Sequence, residues 1–468
     1  MRKIVLLISF SIGLWSMLNA QWVGPGNGST YTMSDLAATT DVVTFESGNY
    51  RIHADLTIST NDILKIDNGF QKIFVENALI TINGSMVCDN ANRVSIMGDP
   101  SFSMRFENAT GCEVKKMYFS DGAGIKIIES EVSFIDTKFL YFTRDYANAV
   151  IDFMNCNPLV EDCYFLLNKG AAISSPANGH GSPRILNNHI EENVTDDLNS
   201  PQINLGPGAE DTIYIVGNEI DGAFGTHRVG GISVADLMGT GSTKVLLKDN
   251  HVTKGRYGYN QQGLTISSVI EGNQFIDNYY EDNPMNGGSG ISIYGVDENN
   301  KAVLRNNVIT GNLWGITVIN AADINLGTED DWGHNEIHNN YNNGQMYDLY
   351  NNSSFDIMAV GNDWGTTSEQ EVEDHIFHQN DNPDLGLVTF IPFVGYDAVE
   401  ESHTALLEVS PNPAQGHFMV EGKGKVTVTN TLGQIVFAKE IEGKESIALP
   451  RGLYIVRLGD ATRKVIVE

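Results

Sequence analysis

The sequence has few basic residues. Residues 21–403 contain 19 Lys and Arg against 52 Asp and Glu. So acidic a surface is repelled by nucleic acid and by anionic membranes, and we predict neither as a partner. After residue 20 no stretch is apolar enough to cross a bilayer, so the mature protein is predicted to have no membrane span. No cysteine lies near residue 20, which argues against a lipoprotein.

The chain begins with a basic, then apolar segment, "MRKIVLLISFSIGLWSMLNAQ". This pattern predicts a secretory signal peptide over residues 1–20, with cleavage after Ala20. The remainder is long enough for one large domain and one small domain. We predict that residues 21–49 cap the large domain. Within them, "YTMSDLAA" (31–38) is typical of a short helix, with Ser34 as its candidate N-cap.

An irregular repeat follows, in which an Asn stands two residues before an apolar residue. The intervals between these Asn residues range from 23 to 34 residues, which indicates a solenoid of short strands. We expect each Asn to adopt a positive φ at a sharp bend and to hydrogen-bond to the Asn of the next coil. Thr137 and Cys163 hold the same place earlier in the chain. The aligned residues are Asn188, Asn218, Asn250, Asn273, Asn307, Asn335 and Asn362.

This pattern resembles the right-handed parallel β-helix of the pectate-lyase-like and periplasmic copper-handling superfamily. The resemblance implies an all-β fold, a right-handed single-stranded parallel β-helix over residues 50–397. A linker would span residues 398–406, and a small antiparallel β-sandwich would follow over residues 407–468. Because this fold hosts enzymes, adhesins and inert scaffolds, the resemblance implies little about function.

The last sixty residues contain the motifs "SPNP", "LGQ" and "GLYIV" and a Lys near the end. They resemble the type A C-terminal sorting domain of the type IX secretion system. The resemblance implies that the secretion machinery is a partner and that the protein reaches the cell surface or the medium. The matching residues are Pro411, Asn412, Pro413, Gly433, Gly452, Tyr454 and Lys464.

Each coil can be divided into a strand before the Asn, a strand after it and a third strand. In the lyase and hydrolase relatives the third strand forms the floor of the substrate cleft. Alternation predicts inward residues Ile173, Ile203, Ile232, Leu264, Ile291, Ile316 and Tyr347. The next residues, predicted to form the floor, are Ser174, Asn204, Ser233, Thr265, Ser292, Thr317 and Asp348. Glycoside hydrolysis needs two neighbouring carboxyl groups, which this floor lacks.

The turns before the third strand are long in four successive coils and form a predicted wall beside the floor. Stacking at about 4.8 Å per coil would place these turns side by side. Aromatic rings, cations and carboxylates suit a sugar polymer. For chemistry on a polyuronate, Arg228 or Arg256 would pair with the sugar carboxylate and His227 or a Tyr would act as base. The other predicted contacts are Asp196, Asp197, Tyr257, Tyr259, Tyr279, Tyr280, Glu281 and Asp282, with Ser233 and Thr265 below them.

Three functions agree with these features. The first is a secreted, surface-delivered protein that binds an extracellular polysaccharide; the others are a polyuronate lyase or epimerase, and a non-catalytic adhesin or structural protein. We expect a monomer. No cofactor is required, although Asp- and Asn-rich turns are suited to calcium. Cys88 and Cys112 are about one coil apart, within reach of a disulfide, whereas Cys156 and Cys163 are expected to be thiols.

Overall fold

The computed structural model describes residues 21–67, 69, 71–88, 92–222, 225–239, 241–281, 287–396, 407–459 and 461–468. The chain divides into two compact units, Met1–Tyr396 and Asp397–Glu468. The predicted signal peptide, the predicted linker and Asp282 lie outside the described residues.

The first unit is a right-handed parallel β-helix whose coils carry three strands each. The strands that precede the Asn form the pre-bend face, a 14-stranded parallel sheet. They are Thr30–Thr32, Ile63–Ile66, Ser85–Cys88, Cys112–Lys115, Val132–Ile135, Leu159–Glu161, Arg184–Leu186, Thr212–Val216, Thr243–Lys248, Ile266–Glu271, Lys301–Arg305, Asp323–Gly327, Ile357–Ala359 and Val388–Thr389.

The strands that follow the Asn form the post-bend face. It opens with an antiparallel pair, Val43–Glu46 and Asn49–Ile52, and continues in parallel. Val94–Glu107 and Met117–Ile128 run through this face and onto the next one. Its other strands are Ile73–Val75, Lys138–Leu140, Tyr164–Leu166, His189–Glu191, Glu219–Asp221, His251–Thr253, Gln274–Ile276, Val308–Thr310 and Glu336–His338.

The third face carries the strands predicted to floor the cleft. Each pairs in parallel with its counterpart in the next coil. Besides the two strands shared with the post-bend face, they are Trp22–Val23, Leu56–Ile58, Leu79–Ile82, Ala149–Met154, Ala171–Ser174, Pro201–Leu205, Gly230–Asp236, Tyr259–Gly263, Ser289–Gly295, Trp314–Asn320, Leu349–Ser353 and Ile376–Phe377.

Apolar side chains fill the interior because alternate residues of every strand point inward. On the pre-bend face, equivalent positions of successive coils hold Ile185, Ile215, Leu247, Ile270 and Leu304, all fully buried. Like residues therefore stack on like residues along the axis, and each coil buries its apolar edge only against its neighbours.

The Asn residues of the repeat form a continuous buried ladder, as predicted. The Asn250 Nδ2 group donates to Asn273 Oδ1 at 2.9 Å, and the Asn218 Nδ2 group donates to Asn250 Oδ1 at 2.8 Å. The ladder extends to Asn362 at one end, and at the other Cys163 N–H donates to Asn188 Oδ1 at 2.9 Å. Each amide also donates to a backbone carbonyl of the preceding coil, so the bends of adjacent coils are joined.

The predicted positive φ of these Asn residues is wrong by one position. The left-handed residue is the one immediately before the ladder Asn, such as Asp249 at φ 53° or Asn306 at φ 57°. Asp162 precedes Cys163 in the same way. The bend therefore uses two adjacent residues, one for the backbone turn and one for the ladder.

A second ladder lies at the end of the post-bend strands, five residues beyond the first. The Asn278 Nδ2 group donates to Asn312 Oδ1 at 3.1 Å, and Asn312 Nδ2 donates to Asn340 Oδ1 at 2.9 Å. Asn168 and Asn193 form an equivalent pair in earlier coils. The spacing was visible in segments such as "NNVITGN" and "HNEIHNN", where the second Asn ends the motif.

The described residues of this unit include two short helices. Met33–Thr39 begins at the N-cap Thr32, whose hydroxyl accepts from Asp35 N–H while the Asp35 carboxylate accepts from Thr32 N–H. The prediction of Ser34 as N-cap is therefore wrong, because the T-x-x-D capping box sets the start two residues earlier. The second helix is Glu369–Asp374, and a hairpin of Tyr341–Asn342 with Gln345–Met346 precedes it.

All four cysteines are free thiols. Cys88 pairs laterally with Val114, so Cys112 is displaced from it by two positions along the strand. Burial raises the pKa of the Cys112 thiol to about 11, as expected of a thiol held among apolar side chains.

The second unit is an antiparallel β-domain with its own core. Its strands are Glu408–Ser410, His417–Asn430, Ile435–Ala448, Gly452–Leu458 and Ala461–Val467. The first half of His417–Asn430 pairs with Glu408–Ser410 and its second half with Gly452–Leu458. This long strand therefore links two halves of the domain, which share one buried cluster.

Candidate functional site: a groove on the third face

The outward row of the third face runs as a straight line of side chains along the axis. Lateral pairing places one residue of each coil beside the next. The row extends further towards the N-terminus than predicted, and nine consecutive members of it are Lys126, Asp152, Ser174, Asn204, Ser233, Asn260, Ser292, Thr317 and Tyr350.

The predicted register is wrong in two coils, of which the first is the coil of Tyr259. Tyr259, rather than Leu264, pairs with Ile232 and Ile291, so the strand there is Tyr259–Gly263. Tyr259 is fully buried and its hydroxyl donates to Gln261 Oε1 at 3.1 Å, so it cannot reach a ligand in the groove. Thr265 lies in the turn before Ile266–Glu271, off the third face. Asn260 takes the floor position that had been assigned to Thr265.

Asp348 is also misplaced by the sequence prediction. In the last full coil Leu349 is the inward residue and Tyr350 the outward one. Asp348 is completely buried, and its Oδ1 accepts from the Asn340 side-chain amide at 2.9 Å. It therefore ends the second ladder, and His375 Nδ1 lies 3.1 Å from its other oxygen.

Two cavities lie in line along this row. The N-terminal cavity has a volume of about 750 Å³ and is lined by residues that include Lys126, Arg144, Asp152, Ser174 and Asn204. The C-terminal cavity has a volume of about 310 Å³. Asn199 lines both cavities, so they form one groove with a constriction. The C-terminal cavity is lined by Asn199, Arg256, Tyr257, Asn260, Gln262, Gly287, Ser289, Ser292, Trp314, Thr317, Ile319, Tyr350 and Asn352.

The constriction lies at Ser233, which lines neither cavity. Ser233 is only 6% exposed, although we predicted an exposed side chain. The Asn260 side-chain amide donates to its hydroxyl at 3.1 Å, and the ring of Tyr257 lies against Gly230 three residues earlier. Above it, Arg256 donates to Asn199 Oδ1 across the groove. A polar bridge therefore divides the two cavities.

Aromatic rings form the C-terminal end of the groove. Tyr350 stacks on Trp314 with a centroid distance of 4.7 Å and on Phe377 with a distance of 4.4 Å. Both faces of the Tyr350 ring are thus covered, and Trp314 presents its remaining surface at the cavity. Sequence reasoning missed this stack, because the register error in the last full coil placed Asp348, and not Tyr350, in the outward row.

The predicted wall loops do meet, mainly through backbone contacts. The Asp197 carboxylate accepts from the N–H groups of both His227 and Arg228 at 2.9 Å. His227 Nδ1 lies 2.9 Å from Tyr280 O, and since a carbonyl only accepts, this nitrogen carries the proton. These contacts hold the loops of three coils together.

Some of the predicted wall residues line the groove, and others lie outside it. Arg256 and Tyr257 line the C-terminal cavity, whereas His227, Arg228, Tyr279 and Tyr280 line neither cavity. His227, Arg228 and Asp196 are exposed on the loops. Tyr279 packs edge-on against Tyr280 at 5.7 Å, and Glu281 lies beside them in the chain.

Tyr257 is a hydrogen-bond donor at neutral pH. Burial raises its pKa to about 12, against the lowering effects of the Arg256 charge and of a hydrogen bond with Ser233. A tyrosine must be ionised to act as a base, so Tyr257 is unsuited to that role near pH 7.

The described lining of the groove is cationic. Lys126, Arg144 and Arg256 face it, and Asp152 is the one carboxylate among the described lining residues. The sequence could have revealed Asp152, because "AVIDFM" continues the alternation of the third strand one coil before "AAISS". Within the described residues no cluster of three or more His, Cys, Asp or Glu side chains could hold a metal ion.

The motif residues of the second unit have structural roles. The Asn412 amide donates to Lys464 O at 2.7 Å and its oxygen accepts from Ile466 N–H at 3.0 Å, which ties the SPNP segment to the last strand. The Tyr454 hydroxyl donates to Pro450 O at 2.8 Å. Gly433 has φ 75° in the "LGQ" turn. Gly452 lies against the Tyr454 ring.

Residues 408–468 match the family described as the secretion system C-terminal sorting domain. The second unit is a type IX sorting domain. It directs the protein through the type IX secretion system to the cell surface. Within the described residues no helix is long and apolar enough to span a membrane.

Residues 241–371 match a family described as a protein of unknown function, DUF1565. No curated protein matches the chain. Among solved structures, the periplasmic alginate epimerase AlgG is 14% identical over 77% of this chain and 83% of that one, with a TM-score of 0.44. A mutant tailspike protein of E. coli bacteriophage HK620, in complex with a pentasaccharide, is 12% identical over 92% of this chain and 86% of that one, with a TM-score of 0.35. The fold is established by the strand register of this chain itself.

Proposed function

We propose that this surface-delivered β-helix binds an extracellular polysaccharide along the third-face groove. The observation that carries the proposal is the alignment of two cavities on one straight row of side chains. Nine consecutive coils, from that of Lys126 to that of Tyr350, supply the part of the row that lies along the groove, and at about 4.8 Å per coil this part is roughly 38 Å long. A groove of that length suits an extended polymer better than a small molecule.

The lining supports a sugar ligand. The groove is lined by hydroxyl and amide groups and by the aromatic surface of Trp314. The polar lining residues include Asn204, Asn260, Ser292 and Asn352. Polar groups that fix orientation beside apolar and aromatic surface are typical of ligand sites. An amphipathic sugar ring meets both kinds of surface at once.

Catalysis by the predicted wall residues has less support than polysaccharide binding has. The cation Arg256 lines a cavity, but His227 lies outside both cavities, and Tyr257 stays protonated near pH 7. No described residue therefore stands beside Arg256 as a ready base. We propose binding without turnover at this wall. Incubation with polyuronates and measurement of unsaturated-sugar absorbance tests this point, because sustained product formation that is lost in His227→Ala would favour the lyase.

Binding to immobilised polysaccharides by the mature protein tests the main proposal. Arg256→Ala removes a cation from the groove. We expect this substitution to weaken binding by roughly tenfold, because it removes one charge-assisted hydrogen bond to the ligand. Arg184→Ala is the matched control, because Arg184 is an exposed arginine on the pre-bend face, where it lies over Tyr214. Arg228→Ala should also bind normally.

Three results would contradict the proposal. The first is the absence of binding to every polysaccharide tested, and the second is equal loss of binding in Arg256→Ala and Arg184→Ala. The third is loss of binding in Arg228→Ala alone, which would place the ligand on the outer side of the wall. Thermal unfolding of each variant checks that exposed substitutions leave the fold intact.

A further inference from the structure

The N-terminal cavity differs in charge from the rest of the β-helix. Residues 21–403 contain 52 acidic and 19 basic residues, so a random sample of three charged side chains would be mostly acidic. The cavity instead is lined by two cations, Lys126 and Arg144, and one carboxylate, Asp152. The lining of the N-terminal cavity therefore has an excess of positive charge, whereas the β-helix as a whole has an excess of negative charge.

Neither cation is within ion-pair distance of a carboxylate among the described residues. Lys126 Nζ lies 4.6 Å from the centroid of the Tyr146 ring, and Arg144 Nε donates to Asn148 O at 3.4 Å. Within the described residues neither side chain forms an ion pair, whereas Arg105, one coil earlier in the same row, is paired with Glu107. Lys126 and Arg144 therefore keep their charge available to a ligand.

Asp152 lies in the outward row between Lys126 and the uncharged residue Ser174. Its Oδ1 accepts from the Ser174 hydroxyl of the next coil at 3.1 Å, and its Oδ2 accepts from Asn148 N–H at 3.4 Å. Lys126 of the preceding coil is its lateral neighbour. Burial raises the pKa of Asp152, while the hydrogen bonds and the Lys126 charge oppose this effect.

We infer, on the basis of the proposed function, that the N-terminal cavity binds an acidic sugar residue of the polysaccharide through Lys126 and Arg144, and that ionised Asp152 opposes this binding. The sugar carboxylate accepts hydrogen bonds from the two cations, which are stronger than neutral hydrogen bonds. Ionised Asp152 repels the same carboxylate. The overall negative charge of the protein acts weakly here, because charges beyond about 8 Å are screened at physiological salt.

The arrangement predicts that affinity rises as pH falls. Protonation of Asp152 removes the one negative charge among the described lining residues of the cavity, so its repulsion of the sugar carboxylate is lost. The raised pKa of Asp152 places its titration above that of an exposed aspartate, and exposed sugar carboxylates remain largely ionised in that range. Binding should weaken again at lower pH, when the sugar carboxylates are protonated.

The test compares polygalacturonate with its carboxyl-reduced, neutral counterpart as ligands of the mature protein. We expect preference for polygalacturonate, and a loss of roughly tenfold or more in Lys126→Ala and Arg144→Ala. Asp152→Asn should bind polygalacturonate several-fold more tightly near pH 7 and lose the rise in affinity on mild acidification, while the weakening caused by protonation of the sugar carboxylates remains. The same variant should bind the neutral polymer as the wild type does. A gain of affinity cannot arise from misfolding.

The other possible results contradict either this inference alone or the proposed function as well. Binding of the neutral polymer with no preference for the acidic one overturns this inference and leaves the proposed function standing. Tight polygalacturonate binding that is unchanged in Lys126→Ala and Arg144→Ala, or that is not improved in Asp152→Asn, also overturns the inference alone. If neither these polymers nor any member of a wider glycan panel binds, the proposed function fails and the inference fails with it.

Discussion

At the scale of the residue, each bend depends on two neighbours with different tasks. Asp249 supplies the left-handed backbone conformation, and Asn250 supplies the buried hydrogen bonds between coils. Both are polar residues common in turns, so composition alone does not distinguish them. The ladder Asn is constrained by its amide, because the amide donates both to a backbone carbonyl and to the next Asn while its oxygen accepts from the preceding coil.

Substitution of the two residues should therefore have very different effects. Asn250→Leu removes an amide that donates to Ile215 O and Asn273 Oδ1 and leaves the Asn218 amide without its acceptor. We expect a loss of roughly 2–4 kcal/mol in the free energy of unfolding. Asp249→Gly keeps the positive φ at no steric cost and should change stability by less than about 1 kcal/mol.

Denaturant unfolding of both variants measures the difference. Equal destabilisation would mean that the backbone conformation and the amide contribute alike, contrary to the ladder geometry. Asn250→Asp is a useful third variant, since it keeps the acceptor and the size but loses the donor.

At the scale of the element, the second ladder ends in a carboxylate instead of an amide. Asp348 Oδ1 takes the acceptor role that Asn has in the earlier coils. Its other oxygen lies beside His375, at the end of the helix Glu369–Asp374. The ladder, the last full coil and the helix are thus coupled through one buried charge.

This pair should make stability depend on pH. The nearby Asp348 carboxyl group raises the pKa of His375 above its ordinary value of 6.5. The stabilisation is complete below that ordinary value and is lost as pH rises through the folded-state pKa. We expect the free energy of unfolding to fall as pH rises above about 6.5, and to fall less in Asp348→Asn, which keeps the acceptor of the ladder.

The comparison with Asp348→Asn cancels the contributions of the other histidines. Denaturant unfolding at several pH values gives the two slopes. Identical slopes in the wild type and the variant would show that the His375–Asp348 pair contributes nothing to the pH dependence.

At the scale of the whole molecule, two units with separate cores carry separate tasks. The β-helix holds the groove, and the sorting domain delivers it to the cell surface. The motif residues of the sorting domain mostly maintain its own fold, as Asn412 and Tyr454 do.

Deletion of residues 407–468 should trap the protein in the periplasm. Because the β-helix has its own core, the truncated protein should keep its strand content and its melting temperature. Cell fractionation and surface protease treatment locate the protein, and circular dichroism checks the fold. A folded truncated protein at the surface or in the medium would contradict the role of the tail.

Much of the architecture was determined by the sequence itself. The recurrent Asn predicted the coils and the ladder, because a buried bend shared by all coils requires the same side chain in each. Alternation predicted which side of Gly230–Asp236 faces the core, and Ile232 and Val234 are indeed fully buried. The tail motifs predicted the sorting domain and hence delivery to the surface.

The tertiary structure alone decided the register of individual coils and the content of the groove. Alternation has a period of two, so a turn of variable length lets a strand start at several positions, and Tyr259 and Leu264 compete on equal terms in the sequence. The same ambiguity hid the burial of Asp348. Lys126 comes from one coil, and Arg144 and Asp152 come from the turn and the third strand of the next coil. Only the stacking of coils at a fixed spacing brings their charges into one cavity, because proximity across coils depends on lateral register and not on separation in sequence.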